Sequence, residues 1–241
     1  MRQCVWVEFQ VDIWYKINTL MAIRLEKGQR INLEKESGTK LTNFCVGCNW
    51  GAIIEKKFFG LSTHVVDVDL DLSCMMFDAA GNVVDHIWSP LYNFRDKLLQ
   101  GKLDSNDHAL HHTGDDRTGD QNGDDGLDNE IITVDLNRVN PNVNSIVFFL
   151  NIYNNSEYSG DFSGIPYASI RMFEGTPDRP PKQVFAQYNV ATKTECVGKR
   201  ALVMGKLYRH NGDWKFAAIG DAFEDRIIGV TIARVARDYS K

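Results

Sequence analysis

Nowhere in the chain do apolar residues run together for the roughly 18 positions that suggest a membrane-spanning helix. There is no cluster of Lys and Arg of the kind that neutralises a nucleic-acid backbone. The five cysteines are an odd number and cannot all pair within the chain; reduced thiols fit a cytoplasmic protein. Cys45-Val46-Gly47-Cys48 has the spacing of half a zinc site, but no second pair supplies the other two ligands. A redox pair wants a helix opening at the first thiol, whereas Phe44, Val46 and Trp50 read as a strand, so these thiols read as inert. Asp67-Val68-Asp69 has the form of a metal-diphosphate motif, yet no glycine-rich phosphate loop accompanies it. Ser62, Ser73 and Ser163 lack the setting of a hydrolytic nucleophile. Enzyme classes thus find little support, and a non-enzymatic protein is expected. Glu8, Asp12 and Lys16 break up the first twenty residues and no small-residue cleavage site follows, which argues against a secretory signal. Met21-Ala22-Ile23-Arg24-Leu25 reads like a natural start, so residues 1–20 are expected to be an upstream extension of one domain over 21–241.

What is present is mostly strand. Thr63 to Phe77 alternates and then turns apolar, and Asp78-Ala79-Ala80-Gly81-Asn82 returns the chain as Val83-Val84 in a hairpin. Glu130 to Val139 alternates, and Ser145 to Tyr153 is an almost continuous apolar run. Tyr167 to Phe173 and Gln183 to Val190 are two more strands. Asn211-Gly212 joins Leu202–His210 to Asp213–Ile219 in a tight hairpin, because both turn residues accept positive φ. Short strands with turn clusters between them predict an all-β fold, an antiparallel sandwich with a few short helices, and 241 residues suit one such domain. Phe94 to Gln100 is expected to form two helical turns. Ala222 to Tyr239 is expected to form a closing helix with Phe223, Ile227 and Val230 on one stripe, although Ile227 to Ile232 would serve as a strand.

Charge is concentrated. Between Asp104 and Glu130 nine carboxylates face one cation, Arg117, so this segment carries −8 while the whole chain carries −5. Gly114, Gly119, Gly123 and Gly126 let the loop turn its carbonyls inward, while Asp115, Asp124, Asp125 and Glu130 offer anionic oxygens. Upstream, Asp67, Asp69 and Asp71 project to one side of a strand and Val68, Leu70 and Leu72 to the other. Each element alone reads equally as a solvated surface. Together they can surround calcium, which takes 6 to 8 oxygens at about 2.3 to 2.6 Å. The loop is not an EF-hand: with Asp120 as first position, Asp125 stands where the sharp-turn glycine belongs and Ile131 where the bidentate Glu belongs. A transition-metal site on His108, His111 and His112 is the weaker reading, because adjacent histidines on an extended segment diverge.

The loop from His112-Thr113-Gly114-Asp115 through Gly123-Asp124-Asp125 to Glu130-Ile131-Ile132, the Asp67-to-Ser73 strand, and Leu207 through Phe216 together resemble the TerD family of tellurium-resistance and stress-response proteins. The start at Met21 and Ile165-Pro166-Tyr167-Ala168-Ser169-Ile170-Arg171 look like its TerZ and TerX branch. The resemblance implies a calcium-binding β-sandwich, with ligands from Asp67, Asp69, Asp71, Asp115, Asp124, Asp125 and Glu130, and Thr118 and loop carbonyls as lesser candidates; two ions are expected between the aspartate strand and the acidic loop. In the family's shorter pattern the Glu follows Gly-Asp-Asp directly. Here Gly126-Leu127-Asp128-Asn129 intervenes, so either Glu130 or Asp128 takes that place. Partners implied are other proteins of the tellurium-resistance system, with no nucleic acid. The rival reading is a calcium-dependent membrane-docking module, which needs apolar or basic residues at the loop tips; the tip here is Asp, Gln, Asn and Gly with only Arg117.

Overall fold

The structure, a computed structural model, describes residues 27–34, 38–57, 61–66, 68–154 and 158–241. The expected extension over residues 1–20, and Asp67, lie outside the described residues. The strands are β1 (Arg30–Asn32), β2 (Asn43–Trp50), β3 (Ile53–Lys57), β4 (Ser62–Val66), β5 (Leu70–Phe77), β6 (Val83–Ile87), β7 (Leu110–His112), β8 (Glu130–Asp135), β9 (Ser145–Ile152), β10 (Ala168–Glu174), β11 (Gln183–Asn189), β12 (Ala201–His210) and β13 (Asp213–Phe223). A six-stranded sheet in the order β1-β13-β12-β9-β5-β6 packs on a five-stranded sheet, β11-β10-β2-β8-β7, and β3 with β4 forms a separate ribbon. Every pairing between these strands is antiparallel, which bears out the expected all-β sandwich.

Alternation decides which side chains meet. Leu70, Leu72, Cys74 and Met76 of β5 and Ile146, Phe148, Leu150 and Ile152 of β9 face Val46, Cys48, Trp50, Ile132, Val134, Ile170 and Met172 of the other sheet. Met75, Phe77, Val147, Phe149 and Val203 face outward, and they too are covered. Helix α1 (Ile228–Asp238) lies over them with Ile228, Ile232 and Val235, joined by Trp88, so β9 is buried on both faces. That third layer is why the sequence of β9 runs apolar without alternating. The Asn211-Gly212 turn takes φ of 53° and 85°, the primed geometry the dipeptide favours.

Three expectations change. The span from Thr63 to Phe77 is two strands, since β4 pairs with β3 while β5 joins the six-stranded sheet; Asp69 therefore sits just before β5 and Asp71 within it. The closing helix begins at Ile228 rather than Ala222, because Ala222 and Phe223 are held in the ladder opposite Leu202 and Ala201. Its buried stripe is Ile228, Thr231, Ile232 and Val235, and Ile227 and Val230 are exposed. Phe94 to Gln100 makes only a 3₁₀ turn at Lys97–Leu99: Leu99 C=O accepts from Trp88 Nε1 at 3.0 Å and Gln100 C=O hydrogen-bonds with His86 Nε2 at 2.8 Å, which ties the segment to β6 and its continuation.

Cys45 and Cys48 stand three apart on a strand and so point to opposite faces. Both are buried free thiols, as are Cys74 and Cys196. Burial pushes Cys45 and Cys196 up to about 11, and holds Cys48 and Cys74 well above the usual thiol range. A thiol held this far from the thiolate is a poor nucleophile. We expect these four cysteines to stay unmodified when the native protein is treated with iodoacetamide near neutral pH and to react once it is unfolded; mass spectrometry showing rapid native labelling of Cys45 or Cys48 would contradict this.

Candidate metal centre

The site lies at one end of the sandwich, where β5 and β8 begin and β2 finishes. β6 pairs only with Cys74–Phe77, so β5 has an open edge upstream of Cys74. Two residues of the five-stranded sheet close it. Glu130, first residue of β8 and fully buried, accepts the Leu72 N–H through Oε2 at 2.7 Å. His112 of β7 donates from Nε2 to Leu72 C=O at 3.1 Å, while its Nδ1 accepts the Gly114 N–H at 3.0 Å. The two side chains also touch, with Nε2 and Glu130 Oε2 3.4 Å apart. Burial pulls His112 down to about 4, which keeps it neutral in this role, and pushes Glu130 well above the usual carboxylate range. Glu130 Oε1 accepts the Asp116 N–H at 3.2 Å, so one carboxylate fastens the acidic loop to β5.

Asp69, Asp71 and Asp115 converge beside this clamp, each with a carboxylate oxygen within 4.8 Å of the others. Asp69 and Asp71 are only 4% and 2% exposed. Their oxygens face a cleft of about 210 Å³ lined also by Ser89, Leu91, Tyr92, Arg117 and Tyr153. Two carboxylates about 4 Å apart repel by about 1 kcal/mol in water and about 4 kcal/mol at an effective dielectric of 20. Burial, followed by the nearby charges of Glu130 and Asp69, accordingly drives Asp71 well above the carboxylate range, against the hydrogen bond it accepts from Tyr92 Oη. Arg117 gives partial relief, with Nε 4.0 Å from Asp69 Oδ2, but its side chain is 61% exposed.

A second convergence joins Asp120, Asp124 and Asp125 within the same 4.8 Å limit, on the more exposed side of the loop. Asp120 is fixed by Trp50 C=O, which accepts its N–H at 2.9 Å, by Tyr167 Oη donating to Oδ2 at 2.8 Å, and by Asn129 Nδ2 donating to Oδ1 at 3.1 Å. Gly119 makes this approach feasible. It takes φ of +69°, and a Cβ there would lie 2.4 Å from the Trp50 ring and 2.7 Å from its carbonyl oxygen. Asp124 accepts from Asn49 Nδ2 at 3.0 Å and from the Gly126 N–H at 2.8 Å.

The carboxylates expected at the site thus fall into two groups. Asp69 and Asp71 meet Asp115; Asp124 and Asp125 meet Asp120, which the sequence reading had not singled out as a ligand although it lies in the same acidic run. Asp67 lies outside the described residues. Thr118 stands in neither group, with its N–H and Oγ1 both directed to Asp116 Oδ1. Glu130 stands beside the first group as the clamp described above. Asp128 is engaged by Arg171, whose Nε donates to both its oxygens at 2.9 and 3.0 Å.

All six side chains in the two groups are aspartates, with neither imidazole nor thiolate among them. Such hard oxygen donors suit calcium, magnesium or manganese better than zinc or copper. Ligand oxygens opposite one another on an ion at about 2.4 Å are about 4.8 Å apart, so both groups are compact enough to share one. A buried carboxylate group that repels itself is also what a divalent ion would relieve.

A family model described as TerD domain matches residues 21–234. The chain is 33% identical over 217 residues to stress response protein SCP2 of Bacillus subtilis, covering 89% of this chain and 99% of that one. It is 31% identical over 207 residues to tellurium resistance protein TerZ of Serratia marcescens, covering 86% and 93%. Similarity to that organism's tellurium resistance protein TerD is 29% over 210 residues, covering 87% and 95%. In architecture it is similar to the crystal structure of a homologue of telluride resistance protein (TerD) from Streptomyces coelicolor A3(2), with a TM-score of 0.57 at 14% identity over 83% of this chain and 98% of the other.

Proposed function

This chain belongs to the TerD family of tellurium-resistance and stress-response proteins, and from that premise we propose that it is a non-enzymatic calcium-binding protein of the stress response, holding two ions. One ion is held by Asp69, Asp71 and Asp115, the other by Asp120, Asp124 and Asp125. The observation that carries the reading is the first group: two buried aspartates at the start of β5 meet a loop carboxylate more than forty residues away, and Arg117, which approaches Asp69, is largely exposed. Calcium supplies the positive charge that cancels their repulsion and joins loop to strand. The protein's own residues do the rest. Glu130 and His112 hold the loop root to Leu72, Tyr92 fixes the Asp71 carboxylate, and Tyr167 and Asn129 fix that of Asp120. Calcium level is thereby coupled to the order of residues 113–129 and to the surface they present, as a sensor or scaffold for other proteins of the system would require. No helix among the described residues is long and apolar enough to cross a membrane. Isothermal titration of the folded protein is expected to show heat saturating at two calcium ions per chain and persisting in excess magnesium, which dehydrates reluctantly and demands octahedral geometry. A flat titration would refute the proposal.

One observation favours the docking reading as a second possibility. Leu91, 67% exposed, and Tyr153, 42% exposed, line the first cleft together with Arg117, so apolar and basic groups do flank that ion position. Calcium there would recruit lipid phosphate while Leu91 entered the acyl boundary. Sedimentation with phosphatidylserine vesicles separates the two: a sensor or scaffold stays in the supernatant with or without calcium, whereas a docking module pellets only with it.

A further inference from the structure

Asn49 occupies the last turn of the β2 alternation, on the face opposite Val46, Cys48 and Trp50 and beneath the acidic loop. It is 4% exposed. The nitrogen end of its amide donates to Asp124 Oδ1 at 3.0 Å, which places the side chain against the second carboxylate group. The oxygen end is sealed from solvent and has no hydrogen-bond partner among the described residues. Buried amide oxygens are nearly always satisfied, so one left open on a side chain that touches Asp124, itself grouped with Asp120 and Asp125, calls for a positively charged or donor group.

The three aspartates need such help. Asp120 spends both oxygens on Asn129 and Tyr167, Asp124 Oδ1 serves Gly126 N–H and Asn49, and Asp125 Oδ1 serves the Leu127 N–H. Calcium seeks 6 to 8 oxygens, and these three side chains reach even six only if every carboxylate binds through both of its oxygens. We propose that Asn49 Oδ1 is an uncharged ligand of the cation held by Asp120, Asp124 and Asp125, and that through it this ion ties the acidic loop to β2 of the five-stranded sheet. The inference rests on the calcium reading above. On it, the two ions act on different sheets: the first joins the loop to β5, the second to β2. A neutral ligand from a strand adds a rigid oxygen without adding to the repulsion, which neither a fourth loop carboxylate nor a loop amide would do.

The test is calcium titration of the full chain followed both by calorimetry and by the side-chain amide resonances of Asn49 in ¹⁵N spectra. In the wild type those resonances are expected to shift in step with one of the two binding events. Asn49→Leu, close in volume but without the oxygen, is expected to weaken one site about tenfold or more, the scale on which lost ligand support is felt, and to leave the other unchanged. Asn49→Asp, which keeps an oxygen at that position but adds a charge beside Asp124, is expected to bind at that site more tightly than the leucine variant. Two ions bound by the wild type with no movement of the Asn49 amide would overturn the inference even if the leucine variant failed to fold. So would a folded Asn49→Leu protein that binds both ions at wild-type affinity. In either case the calcium reading itself would stand, whereas a wild-type protein that binds no ion would overturn both.

Discussion

Saturating calcium is expected to raise the melting temperature of the protein by about 5–10 °C for each site filled. Binding to the folded form alone contributes RT ln(1 + [L]/Kd), about 2.7 kcal/mol at a hundredfold excess over Kd, and 1 kcal/mol moves the midpoint by about 2–4 °C in a chain of this size. Asp69→Asn or Asp115→Asn removes one anionic oxygen donor from the first group and is expected to abolish its share of the rise. Asp71→Asn has a second signature. Asp71 has its folded-state pKa raised by burial and by Glu130 and Asp69, so between its unfolded value and that raised value the folded chain binds the extra proton. Stability contributed by that proton is present at low pH and lost as pH rises through this window. Near pH 7 the ion-free wild type therefore carries a penalty that the asparagine variant lacks. Without calcium, Asp71→Asn should melt higher than wild type and show a flatter pH profile; with calcium, it should melt lower. Differential scanning calorimetry at several pH values with chelator and with excess calcium measures both effects. A wild-type melt indifferent to calcium, or an Asp71→Asn variant that keeps the full response, would contradict the account.

Arg171→Met is expected to destabilise the fold by about 3–5 kcal/mol near neutral pH, the usual cost of stranding a buried charge. The Asp128 side chain is 1% exposed, and Arg171, reaching across from β10, donates to both its oxygens and to Gly126 C=O at 3.0 Å. Even with this partner, burial pushes Asp128 up to about 6. Without it the carboxyl would hold its proton to higher pH still. Since a raised folded-state pKa confers stability that is lost as pH rises, the defect should shrink as pH falls through 6 toward 4. Urea unfolding at pH 7.5 and pH 5.0 compares the two. The double variant Arg171→Met, Asp128→Asn should recover part of the loss, because no charge remains to strand. Equal destabilisation at both pH values would show that packing of the arginine stem, and not the buried ion pair, accounts for the effect. Gly47 marks how close this contact is: a Cβ there would lie 2.2 Å from Asp128 Oδ2, so β2 passes directly beneath the pair.

Much of the frame was legible in the sequence because its signals are local. Asn211-Gly212 specifies a turn by itself, Val68, Leu70 and Leu72 alternate against aspartates, and a run such as Ile146 to Ile152 has few fates outside a buried strand. The helix boundary was less so. Ala222 and Phe223 suit a helix as well as a strand, and what settles them is the ladder with Ala201 and Leu202. The site was legible in its residue types but not in its partition. That Asp115 belongs with β5 and Asp124 with β2 depends on where two sheets abut, which spacing along the chain does not encode. Likewise Asp128 and Glu130 look interchangeable as residues, but Asp128 lies in the loop before β8 and meets Arg171, whereas Glu130 opens the strand and meets the Leu72 amide within. Asn49 gave no advance notice, since an asparagine in a strand stands out only once its oxygen is seen to lack a partner among the described residues.

The measurement that bears most directly on the account is diffraction from crystals grown with calcium, recorded at a wavelength where calcium scatters anomalously. The account predicts an anomalous peak among the carboxylates of Asp69, Asp71 and Asp115, with a second among those of Asp120, Asp124 and Asp125. Crystals at millimolar calcium with both groups ordered and no peak at the first would contradict it.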